Sequence, residues 1–448
     1  PELSLPPGDP RRQRYGLFSH VVGRVLERGE PISYRQMTQA ILAEYGALAD
    51  AHGTPVFSGS GLDARVLGQA APPLRQWPLA VADGPSVALG SLSGLGVGAV
   101  FALLPGPLAR DAEALGHLRA RAVEADAATL EPFAHGGQPA PRPDLLKPGQ
   151  YLRLVVNPPA YPLRLALDPG DCPRICPLRE AVQALQAQGV PQVDAQWVAP
   201  NAAPDLLLRI HQQQLLMLTP ARQQQGPAGL ATAMLAATRE QAQTLAAPAL
   251  AAHIGEQVHR FARSRNLLAL AARLSARAQP ATLRVGLQRS RDGAAITVDQ
   301  LPTLHSGDLL SLRVENTGTL PQDLTVLYFD ADHGIGALFP TRQGETNRLD
   351  PGASRVIDRI RIDASPAGTE HLMLIAVEAR QLAQSADYRF LAQPALTRRR
   401  AAASDDAESL DAFADAAFAT HRSRSPDARP APPSGRTQVH VFGLNVQP

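Results

Sequence analysis

Hydrophobic positions along the chain change period several times, and those changes divide it. Leu17, Val21, Val22, Val25 and Leu26 recur at helical spacing, and Gly29 with Pro31 ends the run. A second helix is predicted from Ser33. Its hydroxyl and Gln36 three residues on form a capping box, with Ile32 and Met37 placed as a hydrophobic staple. Met37, Ile41, Leu42, Tyr45 and Leu48 continue as its apolar stripe, and Thr54-Pro-Val-Phe57 reads as a short strand. Two helices and one strand imply an α/β layer short of most of its sheet. The face carrying Leu17, Val21, Val25 and Ile41 is then expected to be exposed.

From Trp77 to about His135 the pattern is one of short apolar runs between glycines, with strands expected at Leu79–Val81, Val97–Leu104 and His117–Ala125. Val87 to Ala109 holds 23 residues without a charge, long enough for a bilayer core. Its glycines and prolines read as strands and turns instead, so no membrane span is expected. Residues 136–149 form a Pro/Gly-rich linker. A further unit is expected to begin at Tyr151, with a helix at 177–188 and strands near Trp197 and at Leu206–His211. Gln212–Gln214 and Gln223–Gln225 read as solvated turns. Residues 228–279 are Ala/Leu/Arg-rich and predict a mostly helical connector interrupted near Pro248, with Ile254, Val258, Phe261 and Leu268 on its apolar face.

Beyond residue 281 the period becomes two. Leu283, Val285 and Leu287 alternate with polar neighbours, as do Leu310, Leu312 and Val314. Leu324–Phe329 and Ile335–Phe339 flank the turn Asp330-Ala-Asp-His-Gly334, and His371–Val377 reads as a buried central strand. Six or so such strands predict a β-sandwich. After Arg398–Arg400, residues Leu410, Phe413, Ala414, Ala417 and Phe418 mark an amphipathic helix. An Arg/Pro/Ser linker follows, and Thr437–Leu444 is expected to return as a strand of the sandwich.

Composition narrows the function classes. Hydrophobic residues make up 44% of 448 positions, enough for a sizeable core and too many for wholesale disorder. Lys plus Arg number 43 against 41 acidic residues, a balance that argues against a dedicated nucleic-acid binder. Lys147 is the one lysine. The chain starts at Pro1 rather than Met, with no leader-like segment after it, and is read as a fragment or processed product.

Candidate chemistry is sparse. Cys172-Pro-Arg-Ile-Cys176 has a spacing unlike structural zinc sites and no further ligand nearby in sequence. Free thiols, a local disulfide, a metal ligand pair and a nucleophile all stay open, with the first two favoured. Asp330, Asp332 and Gly334 suggest calcium, but the loop lacks the ligands expected in register, so a tight turn is preferred. His253 and His259, six apart on a helix, fall on different faces and read as a surface or half-buried pair. Arg398–Arg400 read as solvated. No phosphate loop, nucleophile elbow or metalloprotease helix motif occurs, and no cofactor is expected.

Tyr15-Gly-Leu-Phe-Ser-His-Val-Val22, Ser33-Tyr-Arg-Gln-Met37, Thr54-Pro-Val-Phe57 and Gly59–Leu67 resemble the C-terminal end of bacterial caspase-like (metacaspase-related) cysteine peptidase domains. Leu304–Val377 resembles a β-rich domain of unknown function found downstream of such domains. The shared features are Gly307-Asp308, Leu327-Tyr-Phe-Asp330, Leu338-Phe-Pro340, Asn347 with Leu349, and Pro366-Ala-Gly368. The resemblance implies proteolysis by a His-Cys dyad. Neither the His-Gly nor the Asp-x-Cys segment precedes the first helix here. His52-Gly53, His135-Gly136 and Asp171-Cys172 lie downstream of where the dyad belongs, so no catalytic residue is carried over.

The chain is therefore expected to be multidomain α+β. A truncated caspase-like helix-helix-strand remnant (1–70) is followed by a small β unit (75–140), a mixed α/β region (150–225), a helical connector (228–279), a C-terminal β-sandwich (280–395) and a helix, linker and returning strand (396–448). Expected partners are protein or peptide substrates, through the parent's peptidase domain, and protein partners of the β domains. Two other classes compete: a non-catalytic protein- or glycan-binding scaffold, and a cysteine enzyme built on Cys172 or Cys176.

Overall fold

The structure is a computed structural model, and it describes residues 2–4, 14–27, 32–47, 64–66, 68, 76–159, 161–173, 176–277, 282–289, 295–296, 301–341, 345–362, 367–379, 386–396 and 437–447. The described chain is mixed α+β and rich in strands, organised in five sheets. The expected strand at 54–57, the Arg398–Arg400 run and the amphipathic helix around Leu410–Phe418 lie outside the described residues.

Two short strands, β1 (Glu2–Ser4) and β2 (Arg14–Gly16), pair antiparallel and lead into helices α1 (Leu17–Glu27) and α2 (Tyr34–Ala47). The capping box forms as its spacing dictates. Gln36 N donates to Ser33 Oγ at 3.2 Å, and Ser33 N donates back to Gln36 Oε1 at 3.1 Å. The expected exposure of the helix face is corrected: Leu17, Val21, Val25 and Ile41 are all buried. They pack with Ile32, Ala40, Tyr45, Val66 and Leu108, so the helix pair closes a small core of its own and borrows an apolar side chain from the next unit.

That unit comprises β3 (Gln76–Pro78), β4 (Ser86–Val87), β5 (Val100–Leu104), β6 (Gly116–Val123), β7 (Ala128–Phe133) and β8 (Tyr151–Val156). They form one sheet in the order β3-β8-β5-β6-β7-β4, and a bridge between Ala80 and Ser86 brings the two edges together into a nearly closed barrel. Its interior is filled by Trp77, Leu89, Phe101, Leu103, Leu118, Leu130 and Leu152. The uncharged stretch Val87–Ala109 lies here as strand and turn, and no described helix is long and apolar enough to cross a membrane. Tyr151–Val156, expected to open the next unit, instead pairs with β3 and β5. Its partners are distant in sequence, so local alternation could not assign it to a sheet.

A five-stranded mixed sheet follows. It contains β9 (Tyr161–Asp168), helix α3 (Pro177–Gln188), β10 (Val193–Trp197), β11 (Leu206–His211), β12 (Gln214–Leu218), short helices α4 (Pro220–Gln224) and α5 (Pro227–Ala231), and β13 (Met234–Ala237). β10, β9 and β11 run parallel, and β12 and β13 complete the order antiparallel. Gln212 and Gln213 turn the β11–β12 hairpin with positive φ at both positions. Helices α6 (Arg239–Thr244) and α7 (Ala247–Arg277) come next. The expectation of a mostly helical 228–279 is corrected at one place, where Met234–Ala237 is an entirely buried edge strand. The interruption expected near Pro248 falls at residues 245–246, between α6 and α7, and Pro248 sits in the first turn of α7, where no backbone donor is required.

The remaining strands are β14 (Leu283–Arg289), β15 (Ala295–Ile296), β16 (Thr303–His305), β17 (Leu309–Asn316), β18 (Gln322–Phe329), β19 (Ile335–Phe339), β20 (Arg348–Leu349), β21 (Ser354–Arg361), β22 (Gly368–Glu378) and β23 (Thr437–Gln447). One sheet runs β15-β14-β17-β21, and the other runs β16-β23-β22-β18-β19 with β20 beside β18. They face each other across a core of Leu310, Leu312, Val314, Leu324, Val326, Leu372 and Leu374. The larger sheet is apolar on both faces. Leu327, Phe329, Met373, Ile375 and Val377 point away from that core and meet Leu267 and Ala271 of α7, together with Leu92 and Ala125 of the barrel.

Helix α7 has 31 residues, about 46 Å at the α-helical rise. Leu250, Ile254, Val258 and Phe261 in its first half pack on the five-stranded sheet, and Leu267 and Ala271 in its second half pack on the larger facing sheet. One helix thus contributes to two cores.

Candidate functional site

The densest group of perturbed ionisable side chains lies where α7 passes from one core to the other. Arg222 of α4 reaches across to the β18–β19 turn, where Nη2 donates to Asp332 Oδ1 at 3.1 Å, and the pair is largely buried on both sides. Arg263 of α7 donates to Phe390 O at 3.0 Å and to Gln393 Oε1 at 3.3 Å. Gln393 Nε2 in turn donates to Arg260 O at 2.9 Å and to His333 O at 2.8 Å. The Gln393 backbone pairs both ways with Ile335. Arg265 donates to Asp205 Oδ1 at 2.8 Å, one residue before β11.

Burial governs the ionisation here. His333 sits beneath α7 with its ring edge-on to Phe261 at 4.6 Å. Removal from water pulls its pKa down to about 3, helped by its electrostatic interaction with Arg222, His371 and Arg265. Burial also lowers Arg263 below the ordinary guanidinium value and raises Tyr161 above the ordinary phenol value; the two side chains hydrogen-bond. Glu256 is held below the usual carboxylate range chiefly by its hydrogen bond to His259, with Arg260 adding to it. These bonds run between elements of different sheets, from α4, α7, the β18–β19 turn and the 386–396 segment. The arrangement can fix those elements against one another. Its arginines and its glutamine are spent on that task.

The acidic turn is part of this junction. Asp330 Oδ1 accepts from the backbone N–H of Asp332 and of Gly334, each at 2.8 Å, so it serves its own turn. His253 and His259 part as their spacing requires. His259 stacks on Tyr161 at 5.8 Å, while His253 has its pKa lowered by burial and by Arg260. Among the described residues no group of three or more His, Cys, Asp or Glu is placed to hold a metal ion.

Cys172 and Cys176 form a disulfide in the loop between β9 and α3. Both cysteines of the chain are thereby oxidised, and a nucleophilic role for either would first require reduction. His135-Gly136 lies in a turn after β7, where the His135 ring meets that of His117 edge-on at 5.0 Å. Beside this pair the Arg119 guanidinium lies over the Phe133 ring at 4.4 Å and pairs with Glu131. This partly exposed row across β6 and β7 escaped sequence reading, although the alternation His117, Arg119 and Glu131, Phe133 places each pair on one face of a strand.

Comparison with family models, with curated proteins and with solved structures found no match to the chain.

Proposed function

We propose that the chain is the C-terminal, non-catalytic portion of a bacterial caspase-like cysteine peptidase, with β domains that bind protein partners or substrates. The observation that carries this reading is the order of the two resembling regions. Tyr15–Val22 and Ser33–Met37 come first, and Gly307-Asp308 through Pro366-Ala-Gly368 come after. Helices α1 and α2 occupy the first region and β16 to β22 the second, as a peptidase remnant followed by a β-sandwich domain would. The barrel and the five-stranded sheet stand between them as accessory units. The coding sequence upstream of Pro1 tests the reading. His-Gly and Asp-x-Cys segments in strand-terminal positions are expected there, and their absence overturns it.

A second reading is a protein- or glycan-binding scaffold without peptidase chemistry. The row of Arg119, Phe133, His117 and His135 supports it, because a stacked cation and aromatic on a barrel surface suits ligand contact. Retention of a defined partner by the full chain, lost in Phe133→Ala, would favour it over the first.

A further inference from the structure

We propose that His117 and His135 form a two-imidazole site for a divalent transition-metal ion on the outer face of the barrel. His117 lies on β6 and His135 follows β7, and the register that sets His117 opposite Phe133 places the two histidines diagonally across the strand pair, on one face. Both backbones are fixed. His117 is held in the β6–β7 ladder. His135 exchanges both backbone hydrogen bonds with Gln138, at 3.1 and 3.0 Å, around Gly136 and Gly137, whose φ values of +60 and +80 close the tight turn.

The spacing of the rings fits a shared ion. An imidazole nitrogen binds such a metal at about 2.0–2.1 Å, which puts the ring centre roughly 3.2 Å from it, and two rings meeting it at about 90–109° have centres about 4.5–5.2 Å apart. The centres here are 5.0 Å apart. His117 Nδ1 has no hydrogen-bond partner, and among the described residues neither imidazole makes a hydrogen bond. Turning a nitrogen of each ring toward the ion therefore breaks no bond of the fold.

The local charge permits it as well. Burial, and then the neighbouring His135, hold the His117 pKa below its ordinary value, so at neutral pH this imidazole is unprotonated and able to ligate. Arg119 lies over the Phe133 ring and is paired with Glu131, so its positive charge is offset. Nitrogen ligands select a late first-row ion such as Cu2+, Ni2+ or Zn2+ over Mg2+ and Ca2+, which take oxygen. Among the described residues no third His, Cys, Asp or Glu joins the pair, so the remaining coordination positions go to water or to a donor atom of a bound molecule. Phe133 supplies no ligand, which separates this site from any partner contact made by the same row.

Calorimetric titration of the full chain with Cu2+, Zn2+ and Mg2+ at pH 7.5 tests the site, alongside His117→Gln, His135→Gln and, as a control for the other histidines, His253→Gln. Cu2+ and Zn2+ are expected to bind at one equivalent, Cu2+ the tighter, and Mg2+ not at all. Either replacement in the pair removes one of two linked ligands and is expected to weaken binding about tenfold or more, with His253→Gln unchanged. A measurement without substitutions runs in parallel: diethyl pyrocarbonate labelling, mapped by mass spectrometry, should slow at His117 and His135 together when one equivalent of Zn2+ is added. Absence of a one-equivalent site, unchanged affinity in either variant of the pair, or labelling of either histidine that Zn2+ does not slow each overturns the proposal and leaves an aromatic contact only.

Discussion

Arg222 and Asp332 lie 110 positions apart in sequence, yet the guanidinium of one meets the carboxylate of the other at 3.1 Å with both side chains mostly out of water. The pair joins the helix after β12 to the turn after β18, and so ties the five-stranded sheet to the two facing sheets. Replacing one partner leaves a buried charge uncompensated. Arg222→Ala is expected to cost about 3 kcal/mol in urea unfolding, and the Arg222→Ala/Asp332→Ala double variant less than the sum of the singles.

His333 gives the same junction a pH dependence of known sign. Its folded pKa of about 3 is below the ordinary histidine value, so the unfolded chain binds the proton more readily. Stability from this group is complete above about pH 6.5 and is lost as pH falls toward 3, by roughly 2 kcal/mol at pH 5. His371, His440 and His253, all lowered by burial, act in the same direction. His333 has φ +64, a conformation asparagine accepts, so His333→Asn is expected to fold and to flatten the slope of urea midpoint against pH between 7.5 and 4.5.

Gln76 links the helix pair to the barrel. Its amide donates to Gln39 Oε1 at 2.6 Å and to Pro107 O at 2.8 Å, and its Oε1 accepts from Arg153 at 2.7 Å. Gln76→Leu removes a buried polar group shared by two others and is expected to cost about 2 kcal/mol or more. Limited proteolysis should then cut faster within α1 and α2 than within the barrel.

Leu444 of β23 is fully buried in the core between the facing sheets. Leu444→Ala is expected to lower stability by about 2–5 kcal/mol, whereas Val356→Ala, at a half-exposed position on β21, changes it little. Thermal denaturation of the two variants side by side checks the contrast.

Local signals were legible where a residue's role depends on its near neighbours. The Ser33–Gln36 box, the helix at Pro177–Gln188, the strand Leu206–His211 and the alternation of β14 and β17 all follow from spacing within a few residues. Met234–Ala237 did not, because a short Ala/Leu-rich run satisfies helix and strand periods alike, and pairing with β12 decides between them. The junction was hidden for a related reason. Arg222, Arg263, Asp332 and Gln393 are unremarkable in their own segments, and Arg263 meets Gln393 across 130 positions. The cysteine spacing left the disulfide open, and the folding of the loop between β9 and α3 brings the two sulfurs together.

Strand β23 pairs with β22 over ten positions and with β16 on its other side, so an inner place in the sheet is filled by the last described segment of the chain. Its hold on the sheet is hydrogen-bonded and apolar, independent of the peptide bonds that connect residue 396 to residue 437. A single cut in that connection would therefore turn one polypeptide into two chains that co-purify under native conditions and separate only in denaturant. A synthetic peptide of residues 437–448 should likewise seat itself in a chain ending before them.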